Sequence, residues 1–237
     1  MIPWLADDNN SFPDINTALE EPNGLLAAGG DLSCDRLISA YSQGVFPWFS
    51  EEDPILWWSP APRCVLIPER LHVSRSLAKC IRKQQFTVTF DRAFRQVIHN
   101  CSELRKHREG TWITDEMQTA YCQLSSRGVA HSVEVWQDDQ LVGGLYGLCI
   151  GNIFFGESMF STKTNASKVA FCYLAAQLKA WNFSLIDCQL HSDHLQSMGA
   201  HEIDRKEFQQ FLQHNPTPAT PAERTEWSFS ISSKDIC

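Results

Sequence analysis

The sequence predicts a mixed α/β fold for this chain of 237 residues. Three strand-like runs follow one another over residues 130–160, an apolar helical pattern covers residues 166–181, and a short strand-like run covers residues 184–190. Strands, then a helix, then a strand indicate a mixed sheet with helical cover. Hydrophobic residues make up 43% of the chain, which is enough for a sizeable core and excludes a disordered protein.

The first sixty residues are rich in turns and aromatic side chains and lack a regular period. Asp31 or Ser33 is expected to cap a short helix that ends at Gly44. Prolines in the segments 46–50 and 56–63 exclude a continuous helix and a central strand from both segments.

A domain boundary is predicted near Arg63, where acidic, proline-rich sequence gives way to basic, periodic sequence. We therefore expect a small N-terminal domain over residues 1–62 and a larger domain over residues 63–237. The elements of the larger domain follow from apolar period and turn residues. In chain order they are a basic helix over 74–83, a strand over 86–90, a helix over 117–126, strands over 130–136, 140–148 and 153–160, a helix over 166–181, a strand over 184–190 and a last strand near 227–231.

The charge is divided unevenly along the chain. The net charge is −8, yet basic residues exceed acidic ones by eight between Arg63 and Arg108, and the rest of the chain carries −16. Most charge runs are solvated helical faces, but this one would also suit the phosphates of an RNA. The candidate phosphate contacts are Arg75, Lys79, Arg82, Lys83, Arg105, Lys106 and Arg108.

Several classes of protein are excluded by simple patterns. No apolar run approaches the roughly 18 residues that a membrane helix needs, and the first residues lack the basic segment of a secretory signal. A soluble, cytoplasmic protein is therefore expected. Separately, we expect a monomer. The nine cysteines are scattered, which argues against a disulfide framework and against paired-cysteine zinc sites, so most should be reduced and buried.

Two sequence patterns suggest a bound cofactor or metal, but the details of each argue against such a site. Gly151 and Gly156 have the spacing of a phosphate-binding loop, but Glu157 occupies the position of the required lysine and would repel phosphate. Soft metal ligands also occur within a short span, at Cys188, His191, His194 and His201. Their loose spacing favours structural or surface histidines over a zinc site. No cofactor and no metal are expected.

Acidic residues in apolar strands are the most informative candidates for chemistry. Asp187 lies in the apolar run 185–190, where alternation places it on the same face as Gln189. A buried carboxylate must be hydrogen-bonded, so it either forms a structural pair or takes part in chemistry. Glu157 presents the same choice in the preceding strand, and two such acids in neighbouring strands are more typical of a site.

Tryptophans in predicted loops allow a second inference. Trp48, Trp57, Trp58 and Trp112 are compatible with an ordinary aromatic core. Trp48, however, follows a loop proline, and Trp112 comes directly after the basic run. A loop tryptophan beside phosphate-binding charge is what the stacking of a nucleic-acid base requires.

Taken together, ordered segments of the chain resemble the bacterial leucyl/phenylalanyl-tRNA–protein transferases. Each segment is weak alone, but their order from about residue 12 to about residue 211 is specific. The segments are EPNGLLAAGGDLS (21–33), GVFPWFS (44–50), LWWSPAPR (56–63), GTWIT (110–114), HSVEVW (131–136), LVGGLYG (141–147), GESMFS (156–161), NASK (165–168) and LIDCQ (185–189).

The resemblance implies a fold and an activity. It implies a small N-terminal domain packed on an N-acetyltransferase-like domain that uses no acetyl-CoA. It also implies transfer of Leu or Phe, and Met less well, from aminoacyl-tRNA to proteins that begin with Arg or Lys, which marks them for degradation by the N-degron route. The aminoacyl ester is already activated, so no ATP is needed, in agreement with the absent phosphate loop.

The resemblance also implies roles for particular residues. Trp48 and Trp112 match positions that hold the terminal adenosine of the tRNA, Asp187 and Gln189 match positions assigned to catalysis, and Glu157 matches a position that makes polar contacts. The implied pocket for the amino-acid side chain consists of Leu145, Phe154, Met159, Phe171, Leu174 and Ile186. A carboxylate such as Asp187 can orient the attacking α-amine and accept its proton.

Two other classes remain open from the sequence. A conventional acyl-CoA-dependent N-acetyltransferase would act with acetyl-CoA and without tRNA. A non-catalytic RNA-binding protein would bind tRNA and never transfer the amino acid.

Overall fold

The computed structural model describes residues 2–6, 9–106, 112–216, 227 and 230–237, without the side chain of Arg105. Its helices are α1 (Cys34–Ser42), α2 (Arg75–Arg82), α3 (Phe94–Lys106), α4 (Asp115–Ser126), α5 (Ala166–Ala180), α6 (Asp193–Gln196) and α7 (Arg205–His214). Its strands are β1 (Trp4–Leu5), β2 (Leu25–Gly29), β3 (Phe46–Pro47), β4 (Leu56–Trp58), β5 (Arg63–Leu66), β6 (Thr87–Phe90), β7 (Ala130–Gln137), β8 (Gln140–Ile150), β9 (Ile153–Ser161), β10 (Leu185–Gln189) and β11 (His201–Ile203).

The N-terminal part of the chain forms a small four-stranded sheet in the order β1-β2-β4-β3. The expectation that the prolines exclude a central strand from residues 56–63 is wrong, because β4 lies between β2 and β3. The strand ends at Trp58, so Pro60 and Pro62 lie outside it and remove no hydrogen bond from its ladder. Trp57 is fully buried, and its indole nitrogen donates a hydrogen bond to the carbonyl of Gly29 at 2.9 Å.

A seven-stranded sheet follows, in the order β11-β5-β10-β9-β8-β7-β6. The predicted meander is confirmed, since β7, β8 and β9 pair in antiparallel fashion. Helix α5 connects β9 to β10, and these two strands are parallel. The mixed α/β class predicted from the sequence is therefore confirmed.

The helices cover both faces of this sheet. Two neighbouring glycines of β8 show this, because a Cβ at Gly143 would lie 2.5 Å from the Cβ of Ala166 in α5, whereas one at Gly144 would meet Val97 of α3. Leu77 and Ile81 of α2 belong to the same hydrophobic cluster as α5. Helices α2 and α5 thus share one face, and α3 lies on the other.

Most predicted elements begin and end within two residues of their predicted bounds. Ser33 caps α1 by accepting a hydrogen bond from the backbone amide of Arg36, and Ser74 caps α2 in the same way. The predicted last strand is wrong where it is described, because Trp227, Ser230 and Ile231 lie outside any strand, and residues 228–229 lie outside the described residues. None of the described helices has the length and apolar character needed to cross a membrane.

Candidate active site

A cavity of about 800 Å³ opens where two parallel strands separate. Strands β9 and β10 pair only as far as Phe155 and Asp187. Beyond that point Glu157 of β9 and Gln189 of β10 both face the cavity, together with residues of α5, α6 and the loops around β3. This volume is typical of a small-molecule pocket.

The cavity brings together the residues that the sequence proposed for three separate roles. Its apolar part is lined by Leu145, Phe154, Met159, Phe171, Leu174 and Ile186, which are the six residues predicted to form the side-chain pocket. All six belong to one hydrophobic cluster, and five of them are buried. The predicted Trp48, Trp112, Glu157, Asp187 and Gln189 also line the cavity.

Asp187 is held in a buried ion pair with Arg63. The Nε and Nη2 atoms of Arg63 donate to the two carboxylate oxygens at 2.8 and 2.7 Å, and the side chains are 1% and 0% exposed. The guanidinium also lies between the rings of Phe46 and Phe208, 4.9 and 4.7 Å from their centroids. Such a two-pronged, stacked contact fixes the position of the carboxylate.

Asp187 in turn fixes the conformation of Gln189. The backbone amide of Gln189 donates to Oδ1 of Asp187 at 2.9 Å, and Gln189 has a φ of 64°, which an L-residue rarely adopts. The strand register shifts between these two residues, which is the mark of a β-bulge. In this conformation the side-chain amide of Gln189 donates to Oε1 of Glu157 at 2.6 Å.

Glu157 is the second buried carboxylate of the site, and no cation pairs with it among the described contacts. The hydroxyl of Tyr41 donates to Oε1 at 2.6 Å, and that of Tyr121 donates to Oε2 at 3.1 Å. The two hydroxyl oxygens also lie within hydrogen-bond distance of each other, and because each carries a single hydrogen, a hydroxyl that donates to its neighbour does so in place of Glu157. Burial raises the pKa of Glu157 to about 7, although its hydrogen bonds favour the charged form. We call Arg63, Glu157, Asp187 and Gln189 the inner wall.

The mouth of the cavity is aromatic. Trp48 is 41% exposed and packs against Trp58, whose indole nitrogen donates to the carbonyl of Trp48 at 2.6 Å. Trp112 is half-buried and lines the same cavity. We call these three tryptophans the rim.

Comparison with known proteins decides the family. A family model described as leucyl/phenylalanyl-tRNA protein transferase matches residues 65–213, and the model of the N-terminal domain of that transferase matches residues 30–61. The chain belongs to this family. It is 59% identical over 214 residues to the leucyl/phenylalanyl-tRNA–protein transferase of Cellvibrio japonicus, covering 90% of this chain and 91% of the relative. It is 60% identical over 215 residues to that of Pseudomonas fluorescens Pf-5, covering 91% and 95%.

Solved structures are more distantly similar to this transferase. L-PGS from Bacillus licheniformis is 10% identical with a TM-score of 0.41, covering 70% of this chain and 53% of that chain. A ribosomal-protein-alanine N-acetyltransferase from Brucella melitensis is 13% identical with a TM-score of 0.36, covering 62% and 98%.

The basic residues of the transferase do not form a single strip. Arg63 is buried in the ion pair with Asp187. Arg75, Lys79, Arg82 and Lys83 are exposed on α2 and its C-terminal cap, on the face of the sheet that carries α5. Lys106 lies at the end of α3, on the other face, and pairs with Glu103 at 3.1 Å. The side chain of Arg105 and all of Arg108 lie outside the described residues.

Three side chains that form or support the inner wall were not predicted from the sequence. Tyr41 and Tyr121 occupy positions that resemble ordinary apolar positions of α1 and α4, and Arg63 belongs by sequence to the basic run. Only Arg63 carried a usable signal, because a basic residue at the start of the apolar run 63–66 needs an acidic partner once it is buried. The soft ligands Cys188, His191, His194 and His201 form no metal-binding group within the described part of the chain.

Proposed function

We propose that the enzyme transfers Leu or Phe, and Met less well, from aminoacyl-tRNA to the α-amine of proteins that begin with Arg or Lys. The observation that carries this proposal is a single cavity that joins an apolar lining, a carboxylate network and an aromatic mouth. The products are substrates for N-degron degradation, and the enzyme works in the cytoplasm as a monomer without a cofactor. We also propose a division of the chain near Arg63 into the two domains expected from the sequence.

The apolar lining suits the amino acid carried by the tRNA. Leu and Phe gain roughly 1.5–3 kcal/mol when their side chains leave water, and the six lining residues offer apolar contact for them. Trp48 and Trp112 at the rim suit the terminal adenosine, because an exposed indole offers a flat face for base stacking. An ester held between these two regions places its carbonyl carbon beside the inner wall.

The inner wall suits a positively charged acceptor. A protein that begins with Arg or Lys brings a cationic side chain and an α-amine, and Glu157 carries no cationic partner among the described contacts. Charge complementarity of this kind gives specificity as well as faster encounter. The acidic surplus outside residues 63–108 acts in the same direction.

Peptide-bond formation requires the amine to lose a proton. The α-amine attacks the ester carbonyl carbon, the bond from that carbon to the ribose oxygen breaks, and the ribose hydroxyl leaves with a proton. The pKa of Glu157, raised to about 7, lies near the reference value of about 7.7–8.0 for an α-amine, so this carboxylate suits proton acceptance. We propose that Gln189 aligns Glu157, and that Asp187 acts by holding Gln189.

The exposed cations suit the phosphates of tRNA. Lys106 precedes Trp112 by six residues in the sequence, and we propose that it contacts the acceptor end together with Arg105 and Arg108. Arg75, Lys79, Arg82 and Lys83 lie on the other face of the sheet and would contact a different part of the tRNA.

Single-turnover transfer of radiolabelled Leu from Leu-tRNA to a peptide that begins with Arg tests the proposal. Transfer should occur without ATP or acetyl-CoA and should fail with a matched peptide that begins with Ala. Acetylation of the Arg peptide from acetyl-CoA would instead identify an acyl-CoA-dependent N-acetyltransferase. Binding of Leu-tRNA without any transfer would identify an RNA-binding protein.

A further inference from the structure

Strands β5 and β10 bring two cysteines together beside the cavity. Ile186 lies opposite Leu66, and the next residue of β10 lies opposite the preceding residue of β5. Cys188 lies two residues after Ile186, and Cys64 lies two residues before Leu66. All four side chains therefore share one face of the sheet. They belong to the same hydrophobic cluster. A regular register would place the two cysteines directly opposite each other, but the bulge pairs Gln189 with Cys64 instead.

The two cysteines are neighbours across these strands, because Cys188 is the bulge residue that precedes Gln189, the strand partner of Cys64. Their interaction lowers the pKa of the Cys64 thiol, and the nearby imidazole of His191 acts in the same direction. The same interaction, together with burial, raises the pKa of the Cys188 thiol. Opposed residues of antiparallel strands have Cβ atoms about 4.5–5.5 Å apart, and a disulfide requires about 3.5–4.5 Å. A disulfide therefore requires the bulge to relax, so that Cys188 comes opposite Cys64.

The cavity gives an oxidant access to this pair. Cys188 is half-buried and lines the cavity, whereas Cys64 is buried behind it. Thiol reactivity requires the thiolate, and the interaction with Cys188 favours the thiolate of Cys64. The thiol that the cavity reaches is thus that of Cys188, and the thiolate is favoured at the adjacent, buried Cys64.

We propose that Cys64 and Cys188 form a reversible disulfide when a hydroperoxide enters the cavity, and that this disulfide slows transfer. One S–S bond replaces two S–H bonds, the two electrons reduce the O–O bond, and with hydrogen peroxide the oxygens leave as two water molecules. Disulfides inside cells are usually of this transient, redox-sensing kind.

The disulfide acts on the site through the bulge. Cys188 lies between Asp187 and Gln189, and the bulge gives Gln189 the left-handed conformation in which its amide donates to Glu157. Drawing Cys188 toward Cys64 restores the regular register and breaks that hydrogen bond. This second part of the inference rests on the proposed function, whereas disulfide formation does not.

Peroxide treatment of the reduced full-length protein tests both parts. Non-reducing peptide mass spectrometry should find the Cys64 peptide linked to the Cys188 peptide. Transfer from Leu-tRNA to the Arg peptide should fall roughly ten- to hundredfold, as expected when one hydrogen bond to a charged group is broken, and dithiothreitol should restore it.

Two variants make the test decisive. Cys64→Ala should keep the untreated transfer rate and lose the response to peroxide, because Cys64 does not line the cavity. Cys237→Ser removes an exposed thiol elsewhere and should leave the response intact. The disulfide is overturned if no linked peptide forms or if Cys64→Ala responds like the wild type. A linked peptide with an unchanged transfer rate overturns the inhibition alone, and failure of the proposed function would already show as no transfer by untreated protein.

Discussion

The inner wall and the rim of the cavity are built on different principles. In the inner wall, each carboxylate accepts at least three hydrogen bonds from side chains or backbone, and every side chain is buried. At the rim, Trp48 is exposed and Trp112 is only half-buried. Each inner-wall residue therefore depends on its neighbours, whereas the exposed Trp48 contributes little to the packing of the rest of the molecule.

Within the inner wall, the two carboxylates differ in one respect that decides their chemistry. Asp187 has a cation on both of its oxygens, whereas Glu157 has hydroxyl and amide donors only among the described contacts. A paired carboxylate stays charged and immobile, which suits a positioning role. Glu157, buried among neutral donors, has its pKa raised to about 7 and can exchange a proton near neutral pH.

The largest expected effect follows from removing the buried cation. Arg63→Met leaves the Asp187 carboxylate buried without its partner and should lower the free energy of unfolding by roughly 3–5 kcal/mol. Urea denaturation measures this value. Arg127→Met is the matched control, because Arg127 pairs with Asp35 on the surface and should cost at most about 1 kcal/mol. Equal losses of stability in the two variants would show that the inner-wall pair is no more important than an exposed one.

The next effect concerns the pH dependence of stability. The pKa of Glu157 is raised from 4.5 to about 7 on folding, so its contribution is fully present below pH 4.5 and is lost as the pH rises through 7. The free energy of unfolding of the wild type relative to Glu157→Gln should therefore fall by about 3 kcal/mol over this range. Urea denaturation at several pH values measures the difference. Parallel curves for the two proteins would contradict the raised pKa.

A smaller effect is expected at the rim. Trp112→Ala should weaken binding of Leu-tRNA by about 1–3 kcal/mol, the value of stacking one base, and should leave the fold intact. Filter binding of charged tRNA measures the affinity. Trp4→Ala is the control, because Trp4 is 70% exposed and lies outside the cavity. If Trp112→Ala unfolds the protein or binds Leu-tRNA as tightly as wild type, the indole is part of the core only.

The smallest effect is expected from the cations furthest from the inner wall. Removing Arg82 and Lys83 together, as Gln, should reduce the slope of log affinity against log salt by roughly 0.9 for each tRNA phosphate that the variant no longer neutralises. Lys106→Gln tests the other face of the sheet in the same titration. An unchanged slope in the double variant would make that part of α2 a solvated face, and a change in Lys106→Gln alone would place the tRNA on the α3 side.

Elements with a strong apolar pattern were predictable, whereas helices α3, α6 and α7 were not predicted. The apolar period of α5 and the alternation in β7 to β9 are set by neighbouring residues, so the sequence predicts them. The start of helix α3 depends on a residue that is distant in sequence. The backbone amides of Arg92 and Ala93 bond to Glu134, which lies on β7 some forty residues further along the chain.

The sequence by itself determined the mixed fold and the family. Through the family resemblance it also named six apolar residues and the polar candidates Glu157, Asp187 and Gln189, all of which line one cavity. Only the tertiary structure decided how those candidates are partnered. The pairing of Arg63 with Asp187 depends on the register between β5 and β10, which are separated by more than a hundred residues. The alternation along one strand indicates on which face of the sheet a side chain lies. The residue that it pairs with depends on which distant strand packs beside it.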